Sequence, residues 1–144
     1  IYIAMDKTIV PRGIRNNNPL NIRVGNNWRG EKTVKTDKAF EEFTSMEYGV
    51  RAGFIILKKY MTGYNGLTRK FNTIDLIIRR WAPASENNTE AYISQVCKLS
   101  GIPRHQQISF SQRSLMVAIV DAMIRVECGQ AIDTKIIESA YDLV

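Results

Sequence analysis

Glu127 is the residue of this sequence with the best-supported case for acid–base chemistry. The helical stripe that leads to it is apolar and therefore faces the core; its residues are Met116, Val120 and Met123. Just before Gly129, a carboxyl group is partly desolvated and near the negative end of the helix dipole, and both effects disfavour ionisation. Glycoside cleavage needs such a proton-holding acid. The alternative is a carboxylate that reaches solvent or pairs with Arg125 or Arg51.

The segment from Arg12 to Arg23 is rich in side chains that hydrogen-bond sugars. It holds four asparagine amides and three arginines within twelve residues. Amides and guanidinium groups bind sugar hydroxyl and N-acetyl groups, so Asn18, Asn21 and Arg23 are candidate glycan-binding residues. Trp28, five residues further on, has a flat apolar face for a sugar ring, or else belongs to the core. Since asparagine and proline also form turns, the alternative is a structural turn.

The segment from Trp81 to Tyr92 places a second carboxylate, a hydroxyl and an aromatic ring between two predicted helices. Glu86 lies in the loop, Thr89 is a hydrogen-bond donor, and Tyr92 is on the first turn of the next helix. A second carboxylate activates water or stabilises positive charge in many glycosidases. The alternative is a helix–loop–helix joint, because Pro83 stops one helix and the asparagines start another.

The elements that must position these residues are mostly helices. Up to residue 43, turn residues and short extended pieces at 21–24, 32–35 and 39–43 predict a small β-lobe. After it, apolar spacing predicts five helices, ending near residues 61, 82, 100, 128 and 143. The expected caps of the first three are Thr44, Asn72 or Thr73, and Asn87 or Asn88. We expect one domain over 1–144, of the α+β class but mainly α, with 1–11 as a flexible edge segment.

The composition indicates a globular chain with a basic surface. Of 144 residues, 44% are hydrophobic, and no apolar run approaches the roughly 20 residues of a membrane-spanning helix. The net charge of +6 favours an anionic polymer, but no nucleic-acid motif accompanies it, so we expect no nucleic-acid partner. A single histidine and no CxxC pair predict no metal site, and whether Cys97 and Cys128 pair stays open. The first residues lack the pattern of a signal peptide.

Several of these strings together resemble a family of phage and prophage proteins described as virion structural proteins, some as wall lysins. The strings are Arg-Gly-Ile-Arg-Asn-Asn-Asn-Pro-x-Asn-Ile-Arg, Trp-x-Gly, Phe-x-x-Phe before a helix, and Trp-Ala-Pro-x-x-Glu-Asn-x-Thr-x-x-Tyr. They run from about Arg12 to Gly129, most of the chain. The resemblance implies phage particle proteins as partners and leaves the activity open.

A more distant resemblance is to bacterial glucosaminidases and other lysozyme-like enzymes that cut peptidoglycan. Their Asn-Asn-Leu-Phe-Gly-Ile-Lys, Trp-x-Gly, Phe-Arg-x-Tyr and Tyr-Ala-Thr-Asp-x-x-Tyr strings resemble, in the same order, Asn17–Arg23, Trp28–Gly30, Phe40–Phe43 and Trp81–Tyr92. Their catalytic glutamate precedes the Asn-Asn string, whereas the similar Ile-Arg-Val-Glu-Cys-Gly string of this chain ends at Gly129. The resemblance implies a circularly permuted lysozyme-like fold, with Glu127 across a cleft from Asn21 and Tyr92.

The sequence thus predicts a protein that cleaves the glycan strands of peptidoglycan without a metal or organic cofactor. Glu127 is the general acid, either with Glu86 in a hydrolase or alone, as acid and then base, in a lytic transglycosylase. The residues expected to hold sugars are Asn18, Asn21, Arg23, Trp28, Thr89 and Tyr92. The alternative is a non-catalytic virion structural or wall-binding module of the same fold. Oligomeric state and the route to the wall are left open.

Overall fold

The computed structural model describes residues 10–63 and 70–144, so most of the predicted edge segment at 1–11 lies outside the described residues. Six helices provide nearly all of the regular structure. They are α1 (Arg12–Arg15), α2 (Met46–Thr62), α3 (Ile74–Trp81), α4 (Thr89–Ser100), α5 (Arg113–Cys128) and α6 (Thr134–Asp142). The mainly helical class is confirmed, and five of the helices match the predicted ones closely.

Side-chain caps explain where the helices begin. Thr73 and Asn88 cap α3 and α4, as two of the sequence alternatives predict, by accepting from the backbone N–H groups of Leu76 and Ala91. The prediction of Thr44 as the cap of α2 is wrong by one residue, because Ser45 has the extended backbone and accepts from Tyr48. Glycines in the left-handed conformation end α2, α4 and α5; they are Gly63, Gly101 and Gly129.

Of the predicted N-terminal β-lobe, the described residues show only isolated pairing, between the predicted pieces 21–24 and 39–43 and between Glu31 and Phe43. In the described part of the chain, β pairing is limited to two isolated antiparallel bridges, Arg23 with Phe40 and Glu31 with Phe43. Residues 32–35, predicted as extended, form no strand. Side chains take the backbone groups that a sheet would use: the carboxylate of Glu42 accepts from the N–H groups of Thr36 and Asp37.

Helix α5 lies at the centre of the core. It packs against α1, α4 and α6, while α2 packs against α6 and α3. The apolar stripe predicted on α5 is confirmed, since its three residues are fully buried: Met116, Val120 and Met123. Aromatic and aliphatic side chains complete the core; among them are Phe43, Phe54, Leu57, Ile77 and Ile93. The predicted core face therefore carries Glu127 inward at its end.

Two glycines let the asparagine-rich segment lie close to α2 and α5. A Cβ added at Gly49 would lie 1.8 Å from the Asn17 carbonyl oxygen. One at Gly13 would lie 2.9 Å from Oδ1 of Asn21 and 3.0 Å from Sγ of Cys128 on α5. Asn17 and Asn21 have φ angles of 52° and 53°, a left-handed conformation that asparagine tolerates better than most residues. The segment is thereby fixed with Asn21 beside the C-terminal end of α5.

The two cysteines are free thiols, which answers the pairing question left open by the sequence. Cys128 is buried at the end of α5, and its Sγ donates to the Pro19 carbonyl oxygen at 3.1 Å. Burial raises the pKa of the Cys128 thiol to about 12. Cys128 therefore fastens the asparagine-rich segment to α5 as a small, unreactive group.

Candidate functional site

The carboxyl group of Glu127 accepts hydrogen bonds from three separate parts of the chain. Its Oε1 accepts from Nδ2 of Asn21 at 3.1 Å. Its Oε2 accepts from Oη of Tyr92 at 2.8 Å and from Nε1 of Trp81 at 3.2 Å. Glu127 is only 8% exposed. Because an amide, a phenol and an indole nitrogen all converge on it, the orientation of this carboxyl group is fixed.

The alternative in which Glu127 reaches solvent is wrong, because its apolar stripe turns it into the protein. The two arginines considered as its partners make other contacts. Nε of Arg125 lies 3.2 Å from Oδ2 of Asp121, and Nε of Arg51 donates to the Leu143 carbonyl oxygen at 3.3 Å. The sequence-based expectation of Glu127 near Asn21 and Tyr92 agrees with these contacts.

The donors reach Glu127 because of how α3 and α4 are joined. Trp81 is the last residue of α3, and Tyr92 is on the first turn of α4. Oγ1 of the buried Thr89 donates to the Ala82 carbonyl oxygen and so ties the end of α3 to the start of α4. Burial, reinforced by the charge of Glu127, raises the pKa of Tyr92 well above its ordinary value, so the phenol keeps its proton to donate.

A groove of about 460 Å³ opens beside this cluster, and we call it the Glu127 groove. Hydrogen-bonding, aromatic and a few aliphatic side chains line it. The lining residues are Leu20, Asn21, Ile22, Arg23, Asn26, Phe40, Ile56, Tyr60, Trp81, Ala82, Glu86, Asn87 and Glu127. The two predicted carboxylates, Glu127 and the exposed Glu86, therefore line one groove.

Four of the six residues predicted to hold sugars do not line this groove. Asn18 is fully buried; its Nδ2 donates to the Ile22 and Glu41 carbonyl oxygens, and its Oδ1 accepts from the Ile22 N–H. Its amide is therefore used to hold the backbone. Thr89 is likewise buried and bonded to Ala82, as described above. These two predictions are corrected to structural roles.

Trp28 is the third residue away from the groove. Its half-buried ring packs against the core, with Nζ of Lys59 at 6.0 Å from the ring centroid. The core alternative therefore describes it better than the sugar-binding one. Tyr92 is the fourth: it does not line the groove, and its hydroxyl donates to Glu127. Of the predicted site residues, Asn21, Arg23, Glu86 and Glu127 line the Glu127 groove.

Sequence reasoning missed Trp81 as a site residue. Helical spacing placed it on the apolar face of α3 with Ile74, Ile77 and Ile78, and these isoleucines are indeed fully buried. Trp81 remains half-buried, with its indole nitrogen directed at Glu127. The available signal was its position at the end of α3, as the first residue of the Trp81–Tyr92 segment that already held candidate site residues.

Residues 10–63 and 70–144 contain neither a metal-binding cluster nor a membrane-spanning helix. That part of the chain holds no group of three or more histidine, cysteine or acidic side chains arranged to bind a metal ion. Within the same ranges, every helix is too short or too polar to cross a bilayer.

Comparison with known proteins places the chain among phage proteins. No established protein-family profile matches the sequence. Over 122 residues it is 43% identical to Protein P5 of Pseudoalteromonas phage PM2, and the aligned part covers 82% of this chain and 71% of that protein. Identity at this level over most of both chains indicates common descent, and it confirms the phage assignment suggested by the motifs. The chain belongs to the same phage protein family as Protein P5.

Proposed function

We propose that this protein is a component of the phage particle whose Glu127 groove binds a glycan strand of the host cell wall. Its phage family supports the first part. The second part rests on one observation: a fixed, buried carboxyl group lies in a groove lined by amide, guanidinium and aromatic side chains. Sugar chains need that combination of polar and flat apolar surface.

The lining residues match the two faces of a sugar ring. Asn26, Asn87 and Arg23 supply donors and acceptors for hydroxyl and N-acetyl groups, while the half-buried Trp81 supplies a flat face for the C–H side. The guanidinium carbon of Arg23 lies 5.1 Å from the centroid of the Phe40 ring, which holds it in place over the groove. The net charge of +6 attracts the protein to an anionic wall.

Co-sedimentation with purified cell-wall sacculi tests this binding. The wild type is expected to sediment with the walls, and Arg23→Gln is expected to lower the affinity about three- to tenfold through a lost charged hydrogen bond. Arg29→Gln is the matched control, because Arg29 is also exposed and its guanidinium carbon lies 5.5 Å from the Tyr48 ring centroid, outside the groove. Equal affinity of the two variants, or no sedimentation of the wild type, contradicts the proposal.

A second candidate function is cleavage of the bound strand, favoured by the burial and fixed orientation of Glu127. Glu127 would protonate the glycosidic oxygen. With Glu86 activating water or stabilising positive charge, the reaction is hydrolysis; without it, the sugar's own hydroxyl attacks, as in a lytic transglycosylase. This candidate function implies that the fold is a circularly permuted version of the lysozyme-like fold.

Turnover of sacculi separates cleavage from binding alone. If the protein is an enzyme, soluble fragments appear with the wild type, and Glu127→Gln slows their release at least about 100-fold. Glu86→Gln slows it comparably only in the hydrolase mechanism, and anhydro-sugar ends mark the transglycosylase mechanism. Walls that are bound but release no fragments exclude cleavage and leave the binding module.

A further inference from the structure

A second groove, of about 510 Å³, lies on the other side of Tyr92, and we call it the Arg125 groove. Apolar side chains form much of its wall, including Leu99, which is 43% exposed, and Val126. Of the described residues that line it, Arg125 is the one with a charge. Its chemistry therefore differs from that of the Glu127 groove, where two carboxylates accompany a single arginine.

The two grooves adjoin each other. Asn87 lines both of them. Tyr92 lines the Arg125 groove, while its hydroxyl contacts Glu127, which lines the other. A ligand in the Glu127 groove therefore lies next to the Arg125 groove, with Asn87 at their boundary.

Arg125 is placed to bind a carboxylate. Its side chain is 44% exposed, and its ion pair with Asp121 engages Nε at 3.2 Å. In the end-on geometry, the two terminal Nη atoms of an arginine donate hydrogen bonds to the carboxylate. A half-exposed pair of this kind contributes little to stability, so a ligand carboxylate competes with it at small cost.

We infer that the Arg125 groove receives an acidic peptide branch of the glycan strand whose sugars occupy the Glu127 groove. This inference rests on the proposed function. Peptidoglycan carries short peptides with small alkyl side chains and free carboxylates. The alkyl groups fit the apolar walls of the Arg125 groove, and a carboxylate fits Arg125. The exposed carboxylate of Glu86 repels such a branch from the Glu127 groove.

Binding to two forms of the wall polymer tests the inference: intact peptidoglycan fragments, and the same strands with their peptides removed by an amidase. The wild type binds the intact fragments about tenfold more tightly than the stripped strands. Arg125→Gln and the groove-filling Ala91→Tyr remove this preference and leave binding to stripped strands unchanged. The matched control is Arg113→Gln, since Arg113 is 46% exposed and pairs with Asp142 away from both grooves.

The outcomes distinguish the inference from the proposed function. Equal wild-type affinity for the two polymers, or an Arg125→Gln effect of the same size on both, overturns the inference alone. Binding to neither polymer overturns both. Ala91 is exposed, so its replacement tests the groove even if loss of Arg125 disturbs the neighbouring Asp121.

Discussion

Tyr92 donates a 2.8 Å hydrogen bond to Oε2 of Glu127 and so joins the first turn of α4 to the last turn of α5. Both residues are buried, at 7% and 8% exposure. Glu127 lines the Glu127 groove, and Tyr92 lines the Arg125 groove. The packing of α4 against α5 therefore also fixes the position of Glu127 in the candidate site.

This bond should be visible in stability. Tyr92→Phe is expected to lower the free energy of unfolding by about 1.5–3 kcal/mol, because a buried carboxyl group loses a donor. Tyr141→Phe is the control; its hydroxyl donates to the neutral Phe110 carbonyl oxygen at 2.7 Å, and its loss should cost about 1 kcal/mol. Urea denaturation measures both. Equal losses would mean that the contact with Glu127 has no special strength.

Exchanging donor and acceptor between Asn21 and Glu127 tests whether their contact is specific. Glu127→Gln leaves too few acceptors for the donors that converge there, and should cost about 1–3 kcal/mol of unfolding free energy. Adding Asn21→Asp turns the facing amide into an acceptor and should restore part of this loss. A double mutant whose loss is simply the sum of the two single losses would contradict direct coupling.

Close packing of the asparagine-rich segment makes Gly49 intolerant of a side chain. Gly49→Ala is expected to cost more than about 3 kcal/mol, because its Cβ would overlap the Asn17 carbonyl oxygen. Gly101→Ala should cost only about 1–2 kcal/mol, since Gly101 has a left-handed φ of 73° but open space around its Cβ position. Thermal unfolding of the two variants gives the comparison, and similar melting temperatures would contradict it.

Stability should fall in acid through Asp37. Arg12 donates to its carboxylate from Nε and Nη2, both at 2.6 Å, and holds the pKa of Asp37 well below its ordinary value. The folded state therefore binds this proton less readily than the unfolded state, so the stabilisation is present above about pH 4 and is lost as the pH falls below it. Asp37→Asn should make the melting temperature less sensitive to acid between about pH 6 and pH 3.

Asp142→Asn is the control for that pH dependence. Asp142 also pairs with an arginine, Arg113, at 2.8 Å, but its side chain is 56% exposed, whereas that of Asp37 is 4% exposed. Water screens the exposed pair, so its removal should change the acid sensitivity little. The assignment to Asp37 fails if the two variants lose acid sensitivity equally.

The parts of the structure that follow local rules could be predicted from the sequence. Helical spacing identified the buried stripe of α5 and with it the burial of Glu127, and capping chemistry gave Thr73 and Asn88. Residue type does not reveal which hydrogen-bonding atoms the backbone already uses. For that reason Asn18 and Thr89 looked like ligand contacts although the fold consumes their polar groups.

The cluster around Glu127 depends on long-range packing in addition to local pattern. Asn21 and Glu127 are 106 residues apart in sequence, and their contact requires the left-handed backbone of Asn21 and the absence of a side chain at Gly13. Trp81 reaches the same carboxyl group only because α3 ends against the groove. Periodicity identifies which face of a helix is buried, but it does not identify which distant residue that face meets.

The proton–nitrogen correlation spectrum of the isotope-labelled protein tests the central claim most directly, because the chain has two tryptophans. Trp81 lines the Glu127 groove, and its indole N–H donates to Glu127. Trp28 packs against the core outside this groove. Adding a soluble peptidoglycan glycan fragment should shift the Trp81 indole resonance and leave that of Trp28 in place. An unchanged Trp81 resonance at saturating fragment, or a shift confined to Trp28, would contradict glycan binding in this groove.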